Sequence, residues 1–279
     1  WGSGGSTKQL DVPASDAGRS IFLDIDGAMS YATVWLNGRL VGGWPYGYNS
    51  WRVDLTPHIV PGGVNQLAIR LDNPPASARW YPGGGLYRNI WLTKTHPVHV
   101  AQWGTFVRTP QVSKTSATIE LDVSIDNDSD KSQLVDLTTD IYALDQDGRQ
   151  IGRTLASIEQ AGVRIDARSS IKVSGATTLD NPSLWDLQHP HRHIAVTSIA
   201  IDDKTIDRYE TRFGIRSLRF DPDKGVYVNG EHIPLRGVNN HHDLGALGAA
   251  FNMRGAEPQQ EILKEMDANA IRMPHTPRA

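Results

Sequence analysis

Asn240, His241, His242 and Asp243, with His275 further along the chain, are the residues whose types and spacing could do chemistry. The first four follow the short apolar run Ile233-Pro234-Leu235-Arg236-Gly237-Val238, and His275 closes the later run Ala270-Ile271-Arg272-Met273-Pro274-His275. If both runs are parallel strands of a barrel, these side chains gather where such strands end, which is where barrel active sites are built. Two imidazoles and a carboxamide on that rim could donate hydrogen bonds to ligand hydroxyls or brace a carboxylate. Metal chelation is the rival reading. His241 and His242 are adjacent, however, and neighbours on an extended segment point opposite ways. A purely structural role is the third.

A second constellation is Arg79-Trp80-Tyr81-Pro82-Gly83-Gly84-Gly85-Leu86-Tyr87-Arg88-Asn89-Ile90-Trp91-Leu92. Successive glycines let backbone approach a ligand closely or take positive φ in a tight loop. The flanking rings either edge a binding site or pack as core. Trp35, Trp44, Trp51, Trp91, Trp185, Tyr46 and Tyr48 carry the same ambiguity, because aromatic faces suit sugar rings and sandwich cores alike. A phosphate loop is not implied, since these glycines lead into a strand and no helix N-terminus follows.

The elements that must position these residues fall into three regions. From Ser20 to about Pro97, short alternating runs are separated by turns, with Asn37-Gly38 as the strongest hairpin signal. From Val98 to about Arg212, alternation resumes in runs such as Ile119-Leu121-Val123-Ile125 and Val135-Leu137-Thr139-Ile141. About seven short strands with no helix suggest an immunoglobulin-like sandwich. After Phe213 the pattern becomes strand, helix, strand. Pro258 marks the helix start, and Ile262, Leu263 and Met266 mark its apolar face. That order implies a right-handed βαβ unit with a parallel strand pair.

Composition bounds the rest. A chain of 279 residues with net charge −3 and no long basic run carries no electrostatic footprint for nucleic acid or an anionic membrane. No apolar run reaches the ~20 residues needed to span a bilayer. With no cysteine, disulfides, thiolate metal sites and a Cys nucleophile are all excluded. A start at Trp1 rather than Met implies an upstream segment. The sequence assigns neither a cytoplasmic nor a periplasmic or secreted address.

The motif order resembles glycoside hydrolase family 2, and within it the β-galactosidases. The resemblance is carried by Arg79 to Arg88, Asn181-Pro182-Ser183-Leu184-Trp185, Phe213-Gly214-Ile215-Arg216, Leu235-Arg236-Gly237-Val238-Asn239, His241-His242-Asp243 and Asn269-Ala270-Ile271-Arg272. It implies a mainly β chain: a galactose-binding-like jelly-roll sandwich over 1–97, an immunoglobulin-like sandwich over 98–213, and the truncated start of a (β/α)8 barrel over 214–279. It further implies that His241 and His275 line a sugar subsite with Arg272 and Asn240 close by, and that Asp72 or Asn73 reaches toward it. The sequence departs from the family pattern at Met273-Pro274-His275-Thr276-Pro277 and at His191-Arg192-His193.

The expected chemistry is retaining hydrolysis of β-galactosides, which needs two carboxyl groups about 5 to 5.5 Å apart. The glutamates present are Glu120, Glu159, Glu210, Glu231, Glu257, Glu261 and Glu265, and none follows an Asn as the family's acid/base does. Nucleophile and acid/base are therefore expected downstream of Ala279, and the chain alone is expected to be inactive. The alternatives are a non-catalytic carbohydrate-binding module, or β-mannosidase or β-glucuronidase activity. No cofactor is evident, and a metal ion in the full-length enzyme is left open. The expected partner is a saccharide. Unpaired barrel strands would also favour self-association into homo-oligomers.

Overall fold

The computed structural model describes residues 2–75, 84–241, 244–248, 250 and 252–272. The chain is mainly β and divides into two compact units, one of residues 1–94 with 236–279 and one of residues 95–235.

The first unit contains a jelly-roll-like sandwich. One sheet orders Gly2–Leu10, Asn65–Asn73, Ala32–Leu36 and Arg39–Trp44; another orders Trp51–Asp54, Ser20–Ile25 and Ile90–Thr95. Alternation does what it predicts. Along Asn65–Asn73 every odd-numbered residue is buried, so Leu67, Ile69 and Leu71 join Ile21, Leu23, Ile25, Val34 and Leu36 in one core. The Asn37-Gly38 turn forms as its sequence demands. Leu36 pairs with Arg39, and both turn residues take positive φ, 51° and 78°, as a two-residue hairpin loop of this twist requires.

In the second unit a three-stranded sheet (Val98–Val112, Ser116–Asn127, Ser169–Asp180) accompanies a four-stranded sheet ordered Gln150–Ile165, Gln133–Leu144, Arg192–Ile201, Lys204–Phe213. These are the seven strands of the immunoglobulin-like reading. They are long rather than short, from 10 to 16 residues each. Val100, Leu121, Val123, Ile125, Val135, Ile165 and Ile199 fill the space between them. A three-stranded meander, Leu218–Asp221, Gly225–Val228 and Glu231–Ile233, completes the unit.

The βαβ unit is present, with Gly237–Asn239 parallel to Ala270–Arg272 and helix Met253–Glu265 between them. Three details differ from the sequence reading. The apolar run from Ile233 to Val238 is not one strand. Pro234 has no N–H for a ladder, so Ile233 ends the antiparallel meander, Leu235 is exposed, and the parallel strand starts at Gly237. The helix starts at Met253 instead of Pro258, because Asn252 caps it by accepting from the Gly255 N–H at 3.2 Å. Pro258 then sits inside the helix, where it forgoes one intrahelical bond. Finally, the covered face runs through Ala256, Gln259, Gln260 and Leu263, leaving Ile262 and Met266 exposed.

Candidate functional site

The parallel strand pair aligns its two ends. Gly237 lies opposite Ala270, Val238 opposite Ile271 and Asn239 opposite Arg272. Asn269 clamps the start of the ladder, its N–H donating to the Arg236 carbonyl and its Oδ1 accepting from the Arg236 N–H, each at 2.8 Å. The strands approach so closely that a Cβ on Gly237 would fall 2.9 Å from the Ala270 carbonyl oxygen, which accounts for glycine there. At the far end the Asn240 N–H donates to the Arg272 carbonyl at 3.1 Å.

Asn240, His241 and Arg272 are thereby brought to one rim, at the C-terminal ends of two parallel strands. The Asn240 carboxamide also reaches Gln259 on the helix at 3.5 Å, a partner that sequence reading missed. Gln259 lies one helical turn before Leu263, and the 3.6-residue spacing of the covered face could have found it. His241 is half-buried, and Arg272 is exposed. His275, His242 and Asp243 lie outside the described residues. Among the described residues no cluster of three or more His, Asp or Glu is arranged to hold a metal ion.

The other proposed pair, Asp72 and Asn73, closes strand Asn65–Asn73, and alternation separates their roles. Asn73 is buried on the core side, and its Nδ2 lies 3.3 Å from where a Cβ on Gly84 would stand, so it packs against Gly84. Asp72 faces outward. It exchanges two hydrogen bonds with Ser30, its N–H donating to the Ser30 carbonyl and its carbonyl accepting from the Ser30 hydroxyl, both at 2.9 Å. Next to Ser30, the Tyr31 N–H donates to the Pro45 carbonyl at 3.0 Å, and Pro45 is flanked by Trp44 and Tyr46. Tyr31, Trp44 and Tyr46 are all exposed.

Of the rings in the glycine-rich motif, Tyr87 and Trp91 lie among the described residues. Tyr87 is core. It packs with Met29 and Tyr48, donates to the Gly47 carbonyl at 2.7 Å, and burial pushes its phenol up to about 12. Trp91 is more than half exposed and donates from Nε1 to Asp26. Arg79, Trp80 and Tyr81 lie outside the described residues.

Three domain profiles match in the order of the folds described: the glycosyl hydrolase 2 galactose-binding domain-like profile over residues 6–135, glycosyl hydrolases family 2 over 98–216, and the family 2 TIM barrel domain over 222–279. The chain belongs to glycoside hydrolase family 2. A beta-galactosidase of Bacteroides ovatus is 38% identical over 279 residues, covering 100% of this chain and 32% of that protein. A putative beta-glucuronidase of Formosa agariphila is 30% identical, covering 98% of this chain and 25% of its own length. Among solved structures, a family 2 member from Bacteroides cellulosilyticus superposes with a TM-score of 0.92 at 33% identity, over 99% of this chain and 35% of that one. The chain thus spans about a third of the length of the first of these curated relatives.

Proposed function

We propose that the chain is the N-terminal part of a retaining family 2 glycoside hydrolase that cleaves β-galactosides, with domain boundaries near residues 97 and 213. The observation that carries this reading is the parallel ladder that sets Asn240, His241 and Arg272 on one strand-end rim in the profile-matched barrel segment. In the proposed mechanism these residues, with His275, hold sugar hydroxyls by hydrogen bonds, and Asp72 contributes from the first sandwich. Asn73 braces the loop at Gly84.

The glutamates of this chain stand elsewhere. Glu120 pairs with Arg108 at 3.2 Å on a sandwich strand, Glu210 pairs with Arg208, and Glu257 lies 3.8 Å from Arg254. Glu159, Glu231, Glu261 and Glu265 are exposed. Each of these carboxylates is salt-bridged or exposed to solvent, and the two carboxyl groups of a retaining mechanism are assigned to later barrel strands.

The test has two arms. The 279-residue chain should hydrolyse no aryl β-galactoside; turnover abolished by changing one of its own glutamates would refute the assignment. In the protein extended through a complete barrel, His241→Ala should lower kcat/KM by about 100-fold, the scale for losing a donor at a site of developing charge. A second reading within the family, action on β-glucuronides, is favoured by the relatives named beta-glucuronidase. Comparing kcat/KM for aryl galactoside and aryl glucuronide discriminates the two.

A further inference from the structure

Arg192, Arg212 and Arg216 line one open cavity of about 530 Å³ in the 95–235 unit, with Trp185, Thr109 and Phe213 among its walls. The first two stand on neighbouring strands. Ile194 lies opposite Arg212 and His193 opposite Phe213, so Arg192 and Arg212 are two positions apart on the same face of the sheet. Both guanidiniums converge on the tight turn at Gly148. Arg192 Nη2 donates to the Gln146 carbonyl at 2.8 Å and Arg212 Nη2 to the Gly148 carbonyl at 3.4 Å. A Cβ on Gly148 would lie 3.2 Å from Arg212 Nη1 and 3.6 Å from Arg192 Nη2, so the two cations are close neighbours. Arg216 supplies a third charge, its guanidinium 4.5 Å from the centre of the Trp185 ring.

Like charges held together repel unless something offsets them. Elsewhere in the same unit Arg108, Arg149, Arg164, Arg168, Arg208 and Arg219 each sit beside a carboxylate. Among the described residues no carboxylate forms an ion pair with Arg192, Arg212 or Arg216, and none lines the cavity. The main-chain carbonyls fix the guanidiniums while occupying only part of their five-donor capacity. Fixed forks with spare donors match the geometry of carboxylate or sulfate oxygens.

We propose that this cavity is an oxyanion-binding site, taking a carboxylate or sulfate group between Arg192 and Arg212 with Arg216 as the third cation. The proposal stands on the second unit alone and is independent of the glycosidase reading. It is tested by titrating sodium sulfate, sodium acetate and sodium glucuronate into the 279-residue chain by calorimetry, with ionic strength held constant by sodium chloride. Saturable one-to-one binding is expected. Arg192→Gln and Arg212→Gln should each weaken it about tenfold or more, the scale of a charge-assisted hydrogen bond, while Arg164→Gln, exposed and paired with Asp166 away from the cavity lining, should leave it unchanged. Arg192→Lys and Arg212→Lys keep the charge but lose the fork; they should fall between, and they serve if the Gln variants lose their native circular dichroism. Tighter binding of glucuronate than of acetate would identify the anion as part of an acidic sugar, and equal binding would identify a free oxyanion. Heats that never saturate in excess of chloride, or Arg192 and Arg212 variants that retain full affinity, would overturn the proposal.

Discussion

The immunoglobulin-like sandwich and the parallel strand pair are built from the same amino acids but close their cores differently. In the sandwich, strands of ten or more residues present alternate side chains inward from two sheets, and Ile125, Ile165 and Ile199 are at most 1% exposed. In the βαβ unit the strands are three residues long, Ala256 is the buried residue of the helix, and Ile262 and Met266 are 55% and 68% exposed. An antiparallel sandwich completes its core from contiguous sequence. A parallel pair has two faces to cover, and one helix covers at most one. Stability is therefore expected to reside in the sandwiches and much less in the βαβ unit.

The largest effect that would sharpen this contrast is a truncation in each region. Ile125→Ala should destabilise the chain by about 2–5 kcal/mol in urea unfolding, from lost burial and the cavity left behind, whereas Ile262→Ala should stay within about 0.5 kcal/mol. Similar costs at both positions would break the comparison. Next in size is Gly27→Ala. A Cβ there would stand 2.6 Å from Tyr87 Cζ, so the ring must move off the Gly47 carbonyl, at about 1–3 kcal/mol. A Tyr87→Phe variant measured beside it separates the lost hydrogen bond from the clash.

A smaller effect depends on pH. His193 is buried against Phe213, and burial, assisted by His191, lowers its pKa from 6.5 to about 4. Between those values the unfolded chain binds a proton that the folded chain does not, so stability rises with pH across the window and falls as pH drops through it. The Tm of His193→Phe should lose that part of its pH dependence, and an unchanged profile would contradict the assignment. Smallest of all, exposed Ile262 and Met266 should promote weak self-association. Light scattering at high concentration should show it for the unmodified chain and less of it for an Ile262→Lys, Met266→Lys double variant, and a strictly monomeric chain would count against it.

Much of this fold was legible because period-two alternation and turn chemistry are local. The runs at Leu67, Ile69 and Leu71 and at Ile119 to Ile125 became core strands, and Asn37-Gly38 became a hairpin turn. The helix start was misread because Pro258 is a common first-turn residue, while the capping hydrogen bond of Asn252 decided the boundary. The apolar face was misread because Ile262, Leu263 and Met266 share a helical face without sharing a partner. At the site, the register that aligns Asn239 with Arg272 and the Asn240 contact to Gln259 depend on how strands and helix pack, which spacing alone cannot supply.

By itself the sequence determined the succession of a sandwich, an immunoglobulin-like sandwich and a parallel βαβ unit, because hydrophobic periodicity and turn residues act over a few positions. Only the tertiary structure decided which polar groups meet. It set Asn240 beside Arg272 and drew Arg192 and Arg212, distant from the Gly148 turn along the chain, onto its carbonyls. The physical reason is that side-chain encounters follow from register and packing between remote segments, and a one-residue slip in a strand would send each of these groups to the opposite face.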